Sequence, residues 1–255
     1  MSCIRKLAGA CLAVALCAHA ADDKKDEKKK ESPNITATIP FALIVGTTNS
    51  FKVRGQNLTN ATALRFVANE NLVAEIKRRG PAPAPDKDKK TSEAQLEVEL
   101  ALPADFPVGD LSFVVTTPDG ETGKNRLRVL PYVEVFDEKE PNGGFRAANT
   151  ITVPGAIRGR IELAADVDVF RFEARAGEKL RVESFSKRYG SPLDPILTLH
   201  DAKGHTLLTR DDSPVGTDCA LDFTAPKDGT YFLSVQDAHD RGGESCNYLL
   251  VVRRE

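Results

Sequence analysis

Beyond residue 33, apolar and polar residues alternate with a period of two along most of the chain. The alternation is clear at 51–54, 96–100, 180–183 and 231–235. Successive side chains of a β-strand point to opposite faces of a sheet, so this period predicts strands with one buried face. Gly, Pro, Asn and Asp separate the short runs. The pattern therefore predicts an all-β fold made of β-sandwich domains.

The alternating runs form two groups that are separated near residues 131–140. A strand over 126–130 ends at Pro131, and the charged stretch DEKEPN follows. We predict two sandwich domains in series, one over 33–131 and one over 137–255. The segment 80–92, with PAPAP followed by DKDKK, is interpreted as a surface-loop insertion in the first domain. Residues 143–149 are the one stretch that predicts a turn or two of helix.

Residues 1–20 have the features of a secretory signal peptide. Two basic residues precede the apolar segment 7–18, and a small-x-small pattern ends at Ala20. The apolar segment is shorter than the roughly 20 residues that a membrane-spanning helix needs. Charged residues fill 22–31, so 21–32 is interpreted as a disordered, charged tether. We expect a protein that is secreted or lies in the periplasm or cell envelope, with no transmembrane segment.

Composition narrows the class of protein further. The chain has 255 residues with 35 basic and 37 acidic side chains, and loss of the signal with its two basic residues changes the formal charge from −2 to −4. This charge argues against nucleic acid as a partner. Of five cysteines only Cys219 and Cys246 lie outside the signal. Two cysteines in an exported chain favour one disulfide, and two unpaired thiols are the alternative.

Local signatures of catalysis are missing from the sequence. It contains no H-E-x-x-H, G-x-S-x-G or G-x-x-x-x-G-K-[ST] motif. Outside the signal there are three histidines, His200, His205 and His239, and no Cys has zinc-ligand spacing to them. We interpret the first two as solvated hairpin residues and expect no enzymatic activity.

The first domain has a series of turn motifs at strand ends. They are GQNL at 55–58, a strand that ends at Pro103, a turn at Gly109 and TTPDG at 116–120. This layout resembles the IPT/TIG domain, which implies an immunoglobulin-like sandwich used for adhesion, spacing or docking.

The second domain carries longer motifs in order. They are EKEPN at 138–142, DVDVFRF at 166–172, AGEKL at 176–180, LDPILTL at 193–199, DAKG at 201–204 and APKDGTY at 225–231. This series resembles the bacterial pre-peptidase C-terminal domain, a jelly-roll-like β-sandwich related to the collagen-binding domains of clostridial collagenases. The resemblance implies a module that lies outside the catalytic unit of secreted peptidases and also occurs in chains without a peptidase.

Acidic and amide side chains are placed to bind calcium in the second domain. Calcium takes six to eight oxygen ligands, and residues two apart on an extended segment share a face. The resemblance to the collagen-binding domains assigns ligand roles residue by residue. The assigned positions are Glu138, Glu140, Asn142, Asp166 and Asp168. A solvated linker and a strand end are the alternative interpretation.

These observations favour a non-catalytic binding or scaffold protein that recognises an extracellular protein or polysaccharide. The alternatives are an accessory subunit of a separately encoded secreted peptidase and a structural spacer without a ligand. With no tryptophan in the chain, an aromatic contact to the ligand has to use tyrosine or phenylalanine. Tyr189, in the sequence RYGS, is the candidate for an exposed binding residue.

Overall fold

A computed structural model describes residues 32–83, 93–131, 135–213 and 216–255. The predicted signal peptide, the tether up to residue 31 and residues 84–92 of the predicted insertion lie outside the described residues. The regular secondary structure of the described residues is almost entirely β-strand, which confirms the predicted all-β fold of sandwiches in series.

The first sandwich contains two sheets. Its strands are β1 (Asn34–Ile39), β2 (Ala42–Ile44), β3 (Thr48–Gln56), β4 (Ala63–Phe66), β5 (Glu75–Pro81), β6 (Glu93–Ala101), β7 (Gly109–Thr117), β8 (Gly120–Glu121) and β9 (Asn125–Leu130). One sheet has the order β1-β3-β6-β5, and the other has the order β2-β9-β7-β4, with β8 paired to β7. Only the β2–β9 pair in this sandwich is parallel, so hairpin-type pairing dominates.

The second sandwich also contains two sheets. Its strands are β10 (Val135–Asp137), β11 (Asn149–Thr150), β12 (Gly155–Arg160), β13 (Val167–Ala174), β14 (Lys179–Phe185), β15 (Pro195–His200), β16 (Thr206–Arg210), β17 (Ala220–Thr224), β18 (Gly229–Asp237) and β19 (Asn247–Arg254). The sheet orders are β10-β12-β19-β14-β17 and β11-β13-β18-β15-β16. A 3-10 turn, Lys187–Tyr189, follows β14.

Alternate residues of the strands supply the two cores, as the period of two requires. In β6 the side chains at 94, 96, 98 and 100 are buried, and those between them are not. Strand β19 differs, because Leu250 and Val252 face the core of the second sandwich while Leu249 packs into the core of the first. A strand buried on both faces has a continuous apolar run, which is what YLLVV at 248–252 is.

The sheet that contains β19 therefore packs against both sandwiches. Its side chains in the core of the first sandwich are Ala156, Phe185 and Leu249, with Val135 and Val251 packed against them. Tyr189 joins the same core, where its ring stacks on Phe41 with centroids 4.8 Å apart. The two sandwiches thus share one apolar contact region.

Tyr189 is 2 % exposed, so the prediction that it is an exposed binding residue is wrong. The sequence RYGS has the composition of a surface loop, but the 3-10 turn directs the ring into the neighbouring sandwich. The hydroxyl donates a hydrogen bond to Asp110 at 2.5 Å, which satisfies its one polar group.

Two local expectations are also wrong. Residues 143–147 form bends and turns rather than helix, with Ala147 N–H bonded to Gly144 O instead of a carbonyl four residues back, and Asn149 begins β11. The predicted insertion begins too early, because Gly80 and Pro81 belong to β5 and pair with β6.

The expected disulfide is absent from the structure, where Cys219 and Cys246 are buried free thiols. Cys219 directly precedes β17, Cys246 directly precedes β19, and β14 lies between these two strands. Two strand spacings amount to roughly 10 Å, which exceeds the Cα separation that a disulfide permits. The Cys219 Sγ instead donates to Pro195 O at 3.2 Å.

We expect both thiols to resist alkylation in the folded protein. Burial raises the pKa of the Cys219 thiol to about 11 and also raises that of Cys246, so little thiolate forms at neutral pH. Mass spectrometry of the chain without residues 1–20, after iodoacetamide treatment at pH 7.5, should show no adduct when folded and two adducts when denatured. A denatured chain that takes up no label without reductant would contradict this and restore the disulfide.

Candidate metal centre

The first side chain of the site, Glu138, is positioned by the start of the second sandwich. Strand β10 pairs in parallel with β12, and the Glu138 N–H continues this pairing by donating to Arg158 O at 3.0 Å. The Glu138 carboxylate then turns back over β12, where its Oε1 accepts the Arg160 N–H at 2.5 Å. The main-chain N–H and the side-chain carboxylate of Glu138 are thus both bonded to the backbone of β12.

Asp168 and Tyr248 complete the buried part of the site. Asp168 lies on β13 and is 0 % exposed, and Tyr248 lies on β19 opposite Gly159. The Tyr248 hydroxyl is 2.7 Å from Glu138 Oε2 and 2.7 Å from Asp168 Oδ2. Two strands and the segment after β10 therefore converge on one hydroxyl group.

Glycine is required at position 159 for this convergence. A Cβ at Gly159 would lie 2.4 Å from both Glu138 Oε2 and the Tyr248 hydroxyl oxygen. Both atoms belong to the hydrogen-bonded group, so neither can move away without loss of these contacts. The glycine of the GRI sequence at 159–161 thus makes room for the site.

Three carboxylates meet at this point. One oxygen from each of Glu138, Glu140 and Asp168 lies within 4.8 Å of the others. Burial, followed by the charge of Glu138, raises the pKa of Asp168 to about 9, and burial also raises the pKa of Glu138. Without a cation, the site opposes the ionised form of its own acids.

The hydrogen bonds of the Tyr248 hydroxyl also indicate that this group of acids lacks a proton or a cation. A phenol donates one hydrogen bond, yet this oxygen lies at hydrogen-bonding distance from two carboxylates. The second short oxygen–oxygen contact needs either a further proton or a neighbouring cation. Tyr248 is a site residue that was not predicted from the sequence, although a buried tyrosine hydroxyl usually has a polar partner.

Asn142 adds an unsatisfied amide. Its backbone contacts both parts of the site. The Asn142 N–H donates to Glu140 Oε2 at 2.8 Å, and the Asn142 carbonyl accepts the N–H of Val169 on β13. The side chain is 0 % exposed, and neither Oδ1 nor Nδ2 has a hydrogen-bond partner among the described residues. The same is true of Asp168 Oδ1. Buried polar atoms without partners are rare and costly, so these oxygens are available to a ligand.

These residues fit a calcium ion. The donor set consists only of carboxylate and amide oxygens, the ligands that calcium prefers, and contains no nitrogen or sulfur donor. A divalent cation would offset two of the three carboxylate charges and give the unpartnered Asp168 oxygen a partner, and Asn142 offers a further unpartnered oxygen on the same segment as Glu138 and Glu140. Four of the five predicted ligands, Glu138, Glu140, Asn142 and Asp168, therefore have properties that suit this role.

Asp166 lies outside the group of three carboxylates. Its Oδ2 accepts the Glu162 N–H at 2.9 Å, and its Oδ1 accepts the Val167 N–H at 3.0 Å. Asp166 and Asp168 would share a face only if the backbone were extended at both residues, but β13 begins at Val167. Asp166 instead closes the turn before the strand, and its charge acts on Asp168 through space.

A second acidic group lies in this sandwich at the start of β15 and the end of β16. Oxygens of Asp194, Asp211 and Asp212 also come within 4.8 Å of one another. Asp211 and Asp212 are exposed, so water can solvate them, and the group does not require an ion.

His200 forms a hydrogen bond with a serine, as the histidine of a catalytic Ser-His pair does. His200 Nε2 is 3.1 Å from Ser234 Oγ, but its Nδ1 faces the Thr206 hydroxyl at 3.5 Å. Catalytic Ser-His pairs have a carboxylate at this second nitrogen, which fixes the tautomer and stabilises the imidazolium. His205 and His239 lie next to Asp201 and Asp194, respectively.

Comparison with known proteins agrees with the second-domain motifs. Residues 166–237 match the model of the bacterial pre-peptidase C-terminal domain, which confirms the resemblance for this part of the chain. The matched segment contains Asp166, Asp168 and strands β13 to β18.

One curated relative is a probable subtilase-type serine protease of Deinococcus radiodurans. It is 39 % identical over 85 residues, which are 33 % of this chain and 10 % of that protein. The chain thus spans about a tenth of the length of this relative.

Solved structures with partial similarity include two small bacterial proteins. The pre-peptidase C-terminal domain of a collagenase from Bacillus anthracis is 20 % identical and covers 46 % of this chain and 100 % of its own, with a TM-score of 0.35. A periplasmic inhibitor of g-type lysozyme from Aeromonas hydrophila is 13 % identical and covers 48 % and 96 %, with a TM-score of 0.32. Among the described residues, no helix is long and apolar enough to cross a membrane.

Proposed function

We propose that this protein is an exported, non-catalytic binding protein whose second sandwich is stabilised by calcium. The observation that carries the proposal is the group of carboxylates formed by Glu138, Glu140 and Asp168. Asn142, two residues after Glu140, adds a buried side-chain oxygen without a hydrogen-bond partner among the described residues. The group lies in the sandwich that matches the pre-peptidase C-terminal domain, a class with an accessory rather than a catalytic role. The ligand is an extracellular polymer, either protein or polysaccharide.

In this proposal the first sandwich is related to IPT/TIG domains and contributes to docking. The turn motifs at 55–58 and 116–120 and the two-sheet topology support this relationship. The absence of a carboxylate at the Ser234–His200 pair, within the described chain, supports a role without catalysis.

An accessory role beside a separately encoded peptidase is the second candidate. The curated relative favours it, because that protein is a probable serine protease and its similarity to this chain is limited to 85 residues. Here the protein would position or solubilise an enzyme that it does not contain.

Sedimentation with insoluble polymers tests the binding role. We expect the protein to sediment with fibrillar collagen, peptidoglycan, chitin or cellulose in 1 mM calcium, and to bind less in chelator because the second sandwich is less stable. Asp168→Asn is the matched variant, since it removes one charge from the metal group and little volume. Failure to bind every polymer, with and without calcium, would contradict the binding role. Co-sedimentation only in the presence of a secreted subtilase-type protease would support the second candidate instead.

A further inference from the structure

We infer that the two sandwiches fold and unfold as a single cooperative unit, in which Tyr189 of the second completes the core of the first. The contact between them has the apolar continuity of a domain interior. This inference is independent of calcium and of the ligand.

The sheet β10-β12-β19-β14-β17 contributes side chains to both cores. Strands β12, β14 and β19 each alternate between the two cores, so that Ile157 and Leu250 face one while Ala156, Phe185 and Leu249 face the other. All five side chains are at most 6 % exposed. Separation of the sandwiches would expose one whole face of this sheet to water, and apolar burial is the main favourable contribution to folding.

The turn that carries Tyr189 is prearranged within its own sandwich. The Asp218 carboxylate accepts the N–H groups of Ser186 and Lys187 at 2.8 and 2.9 Å and the Arg188 side chain at 2.7 Å. Gly190 closes the turn with a φ of 85°, a left-handed conformation that favours glycine. The ring therefore reaches the first sandwich on a rigid support.

Polar contacts surround this ring on the side of the first sandwich. Asp110 accepts hydrogen bonds from the Tyr189 hydroxyl and from Arg128 at 3.1 Å. Arg126 donates to Arg188 O at 2.7 Å, and its guanidinium lies 5.7 Å from the centre of the Tyr189 ring. The buried hydroxyl thus has its partner only when the sandwiches are in contact.

Two further polar contacts lie away from Tyr189. Arg158 of β12 donates to Ala42 O at 3.1 Å. Lys52 and Arg54 of β3 form ion pairs with Glu244, whose pKa is lowered by these cations despite its burial. Contacts at separate points of the interface oppose both rotation and separation of the two sandwiches.

Hydrogen exchange at the slowest amides tests the inference, since these amides exchange through global opening. Val235→Ala removes two methyl groups from the core of the second sandwich, on β18 in the sheet that does not contain β12, β14 and β19. We expect the slowest amides of β3 and β7, in the first sandwich, to exchange about tenfold faster or more, by the same factor as those of β18.

Tyr189→Ala is the decoupling variant. On that background, Val235→Ala should accelerate exchange in β18 but leave β3 and β7 unchanged relative to Tyr189→Ala alone. Wild-type exchange rates in β3 and β7 of the Val235→Ala protein would overturn the inference. So would two separate thermal transitions of the wild-type protein in calorimetry, a measurement that does not depend on any variant.

Discussion

Addition of calcium to the metal-free protein is expected to raise its melting temperature by about 5–10 °C. An ion that binds only the folded state at 100 times its dissociation constant stabilises it by about 2.7 kcal/mol. For a chain of this size, each kcal/mol shifts the melting temperature by about 2–4 °C. The physical source is the pairing of three mutually repelling carboxylates and of the unpartnered Asn142 and Asp168 oxygens. Differential scanning calorimetry in chelator and in 1 mM calcium measures the shift.

Two asparagine variants test whether the calcium-induced shift depends on the proposed ligands or on any acidic residue nearby. Asp168→Asn should lose most of the calcium shift, because it removes the charge that burial makes most costly. Asp166→Asn is the matched control and should keep the shift, although loss of its hydrogen bonds to the turn lowers both melting temperatures. Identical curves for the wild-type protein with and without calcium would remove calcium from the proposed function.

The calcium shift should also shrink as the pH falls from 9 to 6. The pKa of Asp168 is about 9 in the metal-free protein, and that of Glu138 is raised as well. Calcium binds the ionised carboxylates, so at lower pH it must displace protons from a larger fraction of these groups. A shift that stays constant over this range would place the ion elsewhere.

Tyr189→Ala is expected to lower the free energy of unfolding of the first sandwich by about 3–5 kcal/mol, the usual cost of truncating a buried aromatic side chain to alanine, and to let this sandwich unfold apart from the second. The variant removes the stacking on Phe41 and leaves the Asp110 carboxylate without one of its donors. Urea denaturation followed by circular dichroism measures the difference from wild type.

Tyr189→Phe is the control, because it keeps the ring and removes only the hydroxyl. A hydrogen bond to a charged group contributes about 1.5–3 kcal/mol, so this variant should lie between wild type and Tyr189→Ala. A Tyr189→Ala protein as stable as the wild type would mean that the ring is not buried between the sandwiches in solution.

The alternation of apolar and polar residues was sufficient to predict the strands and the fold class. A side chain on an amphipathic strand is buried or exposed by its parity, and β4, β6 and β15 follow this rule closely, whereas β18 is buried at five consecutive positions. The same parity placed Glu138, Glu140 and Asn142 on one side of an extended segment. It failed at Asp166 because the strand begins one residue later.

Strand parity does not specify what covers each face of a sheet. Strand parity says that a side chain leaves the sheet on one side, but it does not say whether water or a second sandwich lies there. The loop sequence RYGS likewise did not show that a second sandwich covers Tyr189, and the disulfide was expected from the cysteine count of an exported chain rather than from any strand position. The continuous run YLLVV was a signal in the sequence that β19 is covered on both faces.

The sequence alone determined the all-β class, the approximate division into two sandwiches and the three acidic residues of the candidate metal group, because these depend on spacing along the chain. The tertiary structure decided which distant residues meet. It brought Tyr248 between Glu138 and Asp168, separated Cys219 from Cys246 by a strand, and buried Tyr189 in the other sandwich. These contacts depend on the order of strands in a sheet and on the packing of whole faces, which local periodicity does not specify.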